Sequence, residues 1–201
     1  MFPKFVTSDT FWKYMIVNRS RYIDQLVRSK GNGLIKIITG LRRSGKSFLL
    51  KKLFRQHLLD EGVSEDHIII IDMESRKNKD FKNPDYLLDW VEKEMKDDVM
   101  YYIIIDEVQE VNDFVEVLST LAVTEGTDVY VTGSNSRFLS SDVVTEFRGR
   151  GDEIHVWPLS FGEFMSVYEG SKEDGWAEYL MFGGLPQLLT QVGDAKHAGV
   201  L

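Results

Sequence analysis

One glycine-rich octapeptide constrains the fold of this chain more than any other stretch. Residues 40–47 read GLRRSGKS and fit the pattern G-x-x-x-x-G-K-[ST]. In that pattern backbone N–H groups surround a phosphate, the lysine reaches the outer phosphates, and the hydroxyl ligates magnesium. The chemistry needs a buried strand before the loop and a helix after it, because a helix N-terminus favours an anion.

Both flanks that the loop needs are present in the sequence. Residues 34–39 (LIKIIT) form a short β-branched run between two glycines, which is the composition of a buried strand. From Lys46 onward apolar residues recur at helical spacing, and Gly62 ends that pattern. The sequence therefore predicts a strand, a phosphate-binding loop and a helix in succession.

Composition excludes several classes of protein. The 201 residues are 43% hydrophobic and 28% charged, enough for one sizeable core with an appendage. The absence of cysteine excludes disulfides and thiolate metal sites, and the four histidines lack metal-ligand spacing. No apolar run approaches the roughly 20 residues of a membrane helix, and no signal peptide is apparent, so we expect a cytoplasmic protein without a membrane partner. A net charge of −8 argues against a broad basic surface that binds nucleic acid.

Strand and helix signals alternate along the chain, as in a parallel sheet covered by helices on both faces. With the first strand, five strands are predicted, at residues 34–39, 67–71, 101–105, 129–132 and 154–157. One helix should open at Asn83 and Pro84, and another should follow Asn112 and end at Gly126. The polar residues 75–83 are expected to form a solvated loop.

The third predicted strand ends in two acids, Asp106 and Glu107. A buried strand can end in acids simply because the chain returns to water. These two, however, lie about 60 residues beyond the loop, a spacing typical of a Walker B motif in P-loop ATPases. In that interpretation Asp106 holds magnesium, while Glu107 orients and polarises the attacking water.

The fourth predicted strand ends in small polar residues, Thr132, Gly133, Ser134 and Asn135. If this strand lies between the two motif strands, Ser134 and Asn135 can hydrogen-bond the terminal phosphate or the attacking water. The alternative is an ordinary polar turn in which Asn135 caps a helix.

Five stretches, taken in order, resemble a known family: GLRRSGKS, IIIDEVQ, VTGSNS, GRGDEIHVWPLSFGEF and MFGGLPQLL. They look like the AAA-type ATPases of archaea and bacteria that usually carry a second, C-terminal domain of unknown function. The resemblance implies ATP hydrolysis with magnesium and an extra strand between the two motif strands. Such proteins typically run to about twice this length, so the resemblance implies a truncated chain whose missing domain contacts a protein partner or DNA.

The fold class that follows is α/β: a P-loop NTPase of the ASCE/AAA type, with a five-stranded parallel sheet, helices on both faces and a short helical C-terminal extension. We expect a helical lead-in over residues 1–30, an ATPase core over 31–160 and a helical extension over 161–201. Within the extension, Ser160 and Glu163 fit a capping box, and FGGLPQ at 182–187 fits a break between two helices.

The predicted site residues fall into three groups, and ATP and Mg²⁺ are the predicted ligands. They are Glu107, Asn135 and Arg150 for catalysis, Gly40, Arg43, Ser44, Gly45, Lys46, Ser47, Phe48 and Ser134 for the nucleotide, and Ser47 and Asp106 for magnesium. ATP is preferred to GTP because the guanine-reading N-K-x-D motif is absent. Arg42 and Arg43 either have a packing or surface role or add a contact to the γ-phosphate or to a neighbouring domain.

Arg148 and Arg150 precede the fifth predicted strand, and Arg150 is the preferred candidate for an arginine supplied to a neighbouring subunit of a homo-oligomer. The alternative is a surface arginine paired with a nearby acid. Three functional classes stay open at this point: a switch or motor ATPase, a small-molecule phosphotransferase, and a nucleotide-dependent binding module with little turnover.

Overall fold

The computed structural model describes residues 16–133, 147 and 149–186. The chain divides into two compact units, one formed by Ser20–Val156 and the other by Met1–Arg19 together with Trp157–Leu201. Within the described residues, no helix is both long and apolar enough to span a membrane.

The Ser20–Val156 unit is built on five parallel strands. Their bounds are Ile35–Thr39 (β1), Ile68–Asp72 (β2), Tyr101–Asp106 (β3), Thr127–Thr132 (β4) and Gly151–His155 (β5). The strand order is β2-β3-β4-β1-β5, so β4 lies between the two motif strands, as predicted. Because every pairing is parallel, the carboxyl ends of all five strands lie at one edge of the sheet.

Helices cover both faces of this sheet, which confirms the predicted fold class. One face packs against α4 (Pro84–Glu94) and α5 (Phe114–Val123). The other packs against α1 (Ser20–Ser29) and against the helix that follows the glycine-rich loop. Strands β1 to β4 are mostly apolar on both faces because their alternate side chains enter two separate cores, whereas the edge strand β5 is largely polar.

The helix after the glycine-rich loop, called the loop helix below, consists of three consecutive segments. It runs as α2 (Lys46–Phe48), a π-helical segment (Leu49–Phe54) and α3 (Arg55–Asp60). It ends as the sequence predicts, at Gly62 with φ 90°. The Gly62 and Val63 N–H groups donate to the carbonyls of Leu59 and Leu58, which satisfies the last turn.

Two elements differ from their predicted form. The fifth strand begins at Gly151 instead of residue 154, because its pairing with β1 starts at Ile35. Glycine has low strand propensity, so composition gave no signal for this start. Residues 75–83 contain a 3₁₀-helix, Arg76–Lys82, instead of an irregular loop, and its side chains are exposed or half-buried.

The second unit contains α6 (Phe161–Met165) and α7 (Lys172–Phe182). The predicted capping box is confirmed: the Glu163 N–H donates to Ser160 Oγ at 3.3 Å, and the Ser160 N–H donates to Glu163 Oε2 at 2.8 Å. Helix α7 ends before Gly183, whose φ is 77°. The helix predicted to follow this break lies outside the described residues.

Candidate functional site

Residues 40–47 form a loop with three left-handed backbone positions. The φ angles are 133° at Gly40, 67° at Arg43 and 99° at Gly45. A Cβ atom at Gly40 would lie 2.2 Å from the Val156 carbonyl oxygen, so only glycine fits there. Left-handed residues next to right-handed ones, as at Arg43 to Gly45, are the backbone arrangement that can turn successive N–H groups toward an anion.

Lys46 follows directly at the start of the loop helix and is only 4% exposed. Its Nζ donates to the carbonyls of Gly40 at 3.1 Å and Leu41 at 3.0 Å. Burial lowers the pKa of Lys46, while the negative charges of Glu107 and Asp106 oppose that shift. In the described structure its hydrogen bonds go to these two neutral carbonyls, and a buried cation in such a place is well suited to neutralise an incoming phosphate.

The acid predicted to hold magnesium is Asp106, the last residue of β3, which is 2% exposed. Its Oδ1 accepts hydrogen bonds from Ser47 Oγ at 2.8 Å and from Thr132 Oγ1 at 2.5 Å. The structure thus brings together Ser47 and Asp106, which lie in different sequence motifs. A carboxylate beside a hydroxyl offers the hard oxygen ligands that Mg²⁺ prefers, so this pair fits that ion.

Glu107 follows β3 with a left-handed backbone, φ 57° and ψ 53°. Its N–H donates to Thr132 Oγ1 at 2.9 Å, and the Gln109 side-chain amide donates to its Oε2. Such a conformation costs a non-glycine residue of order 1–3 kcal/mol, and strain of this kind clusters at functional sites. The carboxyl ends of β1, β3 and β4 therefore converge around the loop.

Two charged residues that the sequence did not single out also lie here. Lys51 Nζ is 2.7 Å from Asp106 Oδ2 and 2.8 Å from Asp72 Oδ2. Burial alone would lower the pKa of Lys51, but the hydrogen bonds to Asp106 and Asp72, together with the negative charges of these two residues, outweigh burial and raise it. One sequence signal was available: Asp72 directly follows an apolar strand, as Asp106 does, and the structure shows that the two are in register.

Arg150 lies away from this cluster. Its carbonyl accepts from the Ile35 N–H at 2.9 Å, so it is at the amino end of β1, whereas the loop begins at the carboxyl end. Five residues of strand span about 17 Å, which is beyond the reach of an arginine side chain. Arg150 therefore cannot serve the phosphate loop of its own chain.

The remaining predicted site residues differ in exposure, and three of them are not described by the structure. Ser134, Asn135 and Arg148 lie outside the described residues. Within the loop, Ser44 is buried, whereas Arg42 and Arg43 are exposed. Phe48 is 44% exposed, on the first turn of the loop helix.

The described part of the chain contains no group of three or more His, Cys, Asp or Glu residues that could hold a metal ion.

Comparison with known sequences gives a consistent set of similarities. A family model described as an AAA domain matches residues 32–165. An uncharacterized protein of Haemophilus influenzae is 32% identical over 180 residues, which cover 87% of this chain and 45% of that protein. One from Methanocaldococcus jannaschii is 26% identical over 188 residues, covering 88% and 40% respectively. The chain thus spans less than half the length of these curated relatives.

Among solved structures, the chain is similar to the crystal structure of Cdc6p from Pyrobaculum aerophilum. The TM-score is 0.60 at 12% identity, covering 98% of this chain and 64% of that chain. At this identity the likeness shows the fold alone.

Proposed function

Since the chain belongs to the AAA domain family, we propose that it binds ATP with magnesium at the 40–47 loop and hydrolyses it to drive a conformational switch. Family membership implies nucleotide binding. The observation that carries the finer proposal is the contact between Ser47 and Asp106, which joins the loop to the acid at the end of β3. Lys46 and Glu107 lie at the same edge of the sheet.

Each group of residues has a distinct task in this proposal. The loop N–H groups and Lys46 bind the β- and γ-phosphates, while Ser47 and Asp106 would hold magnesium. Bound magnesium neutralises charge on the phosphates. Glu107 takes a proton from the attacking water onto a carboxylate oxygen as the water oxygen bonds to the γ-phosphorus and the bond to ADP breaks.

Gln109 bears on the timing of that step. Its amide donates to Glu107 Oε2, and both residues belong to the turn that follows β3. A shift of this amide away from Glu107 would give the attacking water access to Oε2. We therefore place Gln109 beside Ser134 and Asn135 among the groups that respond to the terminal phosphate.

A test that separates hydrolysis from the alternatives is turnover with only ATP and Mg²⁺ present. A phosphotransferase needs its acceptor, and a binding module stays near zero. Glu107→Gln should keep MgATP binding but lose about 10² to 10⁴ in rate, which is the usual contribution of a general base. The matched control is Glu110→Gln, because Glu110 pairs on the surface with Lys82.

A Glu107→Gln protein that turns over at the wild-type rate would assign the base elsewhere. Absence of turnover in the wild type, with intact ATP binding, would favour the binding module.

Arg150 extends the proposal to a homo-oligomer, because a catalytic role for a residue this far from its own loop requires the site of a neighbouring subunit. An arginine supplied in this way is worth about 10³ to 10⁵ in rate. Mixing Arg150→Ala with Lys46→Ala should restore activity, since one intact loop can then meet one intact arginine. Turnover that is independent of protein concentration and unaffected by Arg150→Ala would make this arginine structural.

The proposal also covers the target of the switch. The relatives are longer than this chain. We propose that the part of such a protein outside this chain contacts a protein partner or DNA, as the resemblance implies. The net charge of −8 makes these residues themselves a poor nucleic-acid surface.

A further inference from the structure

Lys51 places a positive charge against the acid predicted to hold magnesium. Its Nζ is 2.7 Å from Asp106 Oδ2 and 2.8 Å from Asp72 Oδ2, so one ammonium contacts two carboxylates. The three residues come from the loop helix and from the ends of β3 and β2. The contact therefore ties the helix to two neighbouring strands at the edge where the site lies.

The hydrogen bonds of Asp106 divide its two oxygens between different partners. Oδ1 accepts from Ser47 and Thr132, while Oδ2 faces Lys51. This division fixes the rotation of the carboxyl group and keeps Oδ1 on the Ser47 side. An unpaired carboxylate at 2% exposure would be strongly unfavourable, so Lys51 also compensates a buried charge.

A second consequence concerns free divalent cations. Asp72 and Asp106 reach the same point from adjacent strands, and paired carboxylates are ligands that Mg²⁺ and Mn²⁺ prefer. With Lys51 between them, that point already carries a positive charge. A cation approaching without phosphates is therefore repelled, whereas one that arrives with ATP brings its own compensating negative charge.

We propose that Lys51 is a positioning residue that orients Asp106 for the metal and prevents Asp72 and Asp106 from binding a divalent cation in the absence of nucleotide. This inference rests on the proposed function in taking Asp106 as the magnesium residue.

The experiment is a titration of the nucleotide-free 201-residue chain with Mn²⁺, followed by electron paramagnetic resonance of the free ion. Lys51→Met should bind Mn²⁺ tighter than the wild type by about tenfold or more, because a full charge is removed beside the carboxylates. Lys51→Arg keeps the charge and should behave like the wild type. The matched control is Lys52→Met, at the adjacent, exposed position of the same helix.

Two further variants assign the effect to this cluster. Adding Asp72→Asn to Lys51→Met should abolish the gain, because one of the two carboxylates is then lost. Lys51→Gln removes the charge but keeps a polar side chain, so it tests the same point if Lys51→Met fails to fold. Unchanged Mn²⁺ affinity in folded Lys51→Met or Lys51→Gln would overturn the proposal.

Failure of this inference is distinguishable from failure of the proposed function. The Mn²⁺ titration contains no ATP, so a chain that does not hydrolyse ATP can still show the predicted contrast. Conversely, wild-type turnover together with unchanged Mn²⁺ affinity in the folded variants would remove the role of Lys51 and leave the ATPase proposal standing.

Discussion

A buried ion pair at the amino end of the sheet, opposite the phosphate loop, gives a quantitative prediction about stability. Lys36 in β1 is 0% exposed and its Nζ donates to Asp128, the second residue of β4, which is 3% exposed. Asp128 also accepts from the Tyr130 hydroxyl at 2.8 Å and from the Gly31 N–H at 3.0 Å. Burial, together with the charge of Asp128, raises the pKa of Tyr130, so the hydroxyl stays a donor.

Lys36→Met removes the cation and leaves the Asp128 carboxylate buried with two neutral donors. Breaking one side of a buried pair costs about 3–5 kcal/mol, which is a large part of the free energy of unfolding of a typical domain. At about 2–4 °C per kcal/mol for a chain of this size, the melting temperature should fall by about 6–20 °C. The exposed Lys52→Met is the control and should change stability by less than about 0.5 kcal/mol.

Urea unfolding followed by circular dichroism measures the free-energy difference directly. The double variant Lys36→Met/Asp128→Asn should recover much of the loss, because the buried negative charge is then gone while an acceptor for Tyr130 and Gly31 remains. A loss below about 1 kcal/mol in Lys36→Met, or no recovery in the double variant, would refute this account of the pair.

Two further predictions concern the loop and acid stability. Gly40→Ala should abolish ATP binding and destabilise the chain more than Gly62→Ala does. Both glycines have positive φ, but only at Gly40 would the added Cβ lie against backbone, 2.2 Å from the Val156 carbonyl oxygen. Calorimetric titration with ATP and thermal melting compare the two variants. The hydrogen bond from Lys30 lowers the pKa of Glu61. This ion pair therefore stabilises the fold fully at pH values above the pKa of Glu61 in the unfolded chain, and the stabilisation is lost as the pH falls through the pKa of Glu61 in the folded chain. Lys30→Met should therefore lower the melting temperature slightly at pH 7, and this difference should disappear as the pH falls through the folded pKa of Glu61.

The fold and the centre of the site were predictable because each motif is tied to a strand end. Parallel strands bring their carboxyl ends to one edge, so residues 40–47 and Asp106 had to meet once the sheet was identified. The family match confirms the resemblance, and the matched residues, 32–165, include four of the five quoted stretches. Boundaries were less predictable where composition gives no signal, as at Gly151.

The partners of Asp106 could not be predicted from periodicity. Lys51 lies in the π-helical segment, where the direction of each side chain departs from that of an α-helix. Its contact with Asp72 also depends on β2 pairing with β3, which is a tertiary fact. Likewise, the resemblance indicated Arg150 as a catalytic candidate, but only the sheet register showed that it lies at the opposite end from the loop.

The most direct test of the central claim is calorimetric titration of MgATP into the wild-type chain and into Lys46→Ala. If residues 40–47 bind the phosphates, the wild type should bind MgATP, and the variant should lose most of that affinity while its circular dichroism and melting remain those of a folded protein. Near-wild-type affinity in a folded Lys46→Ala protein would contradict the assignment of this loop.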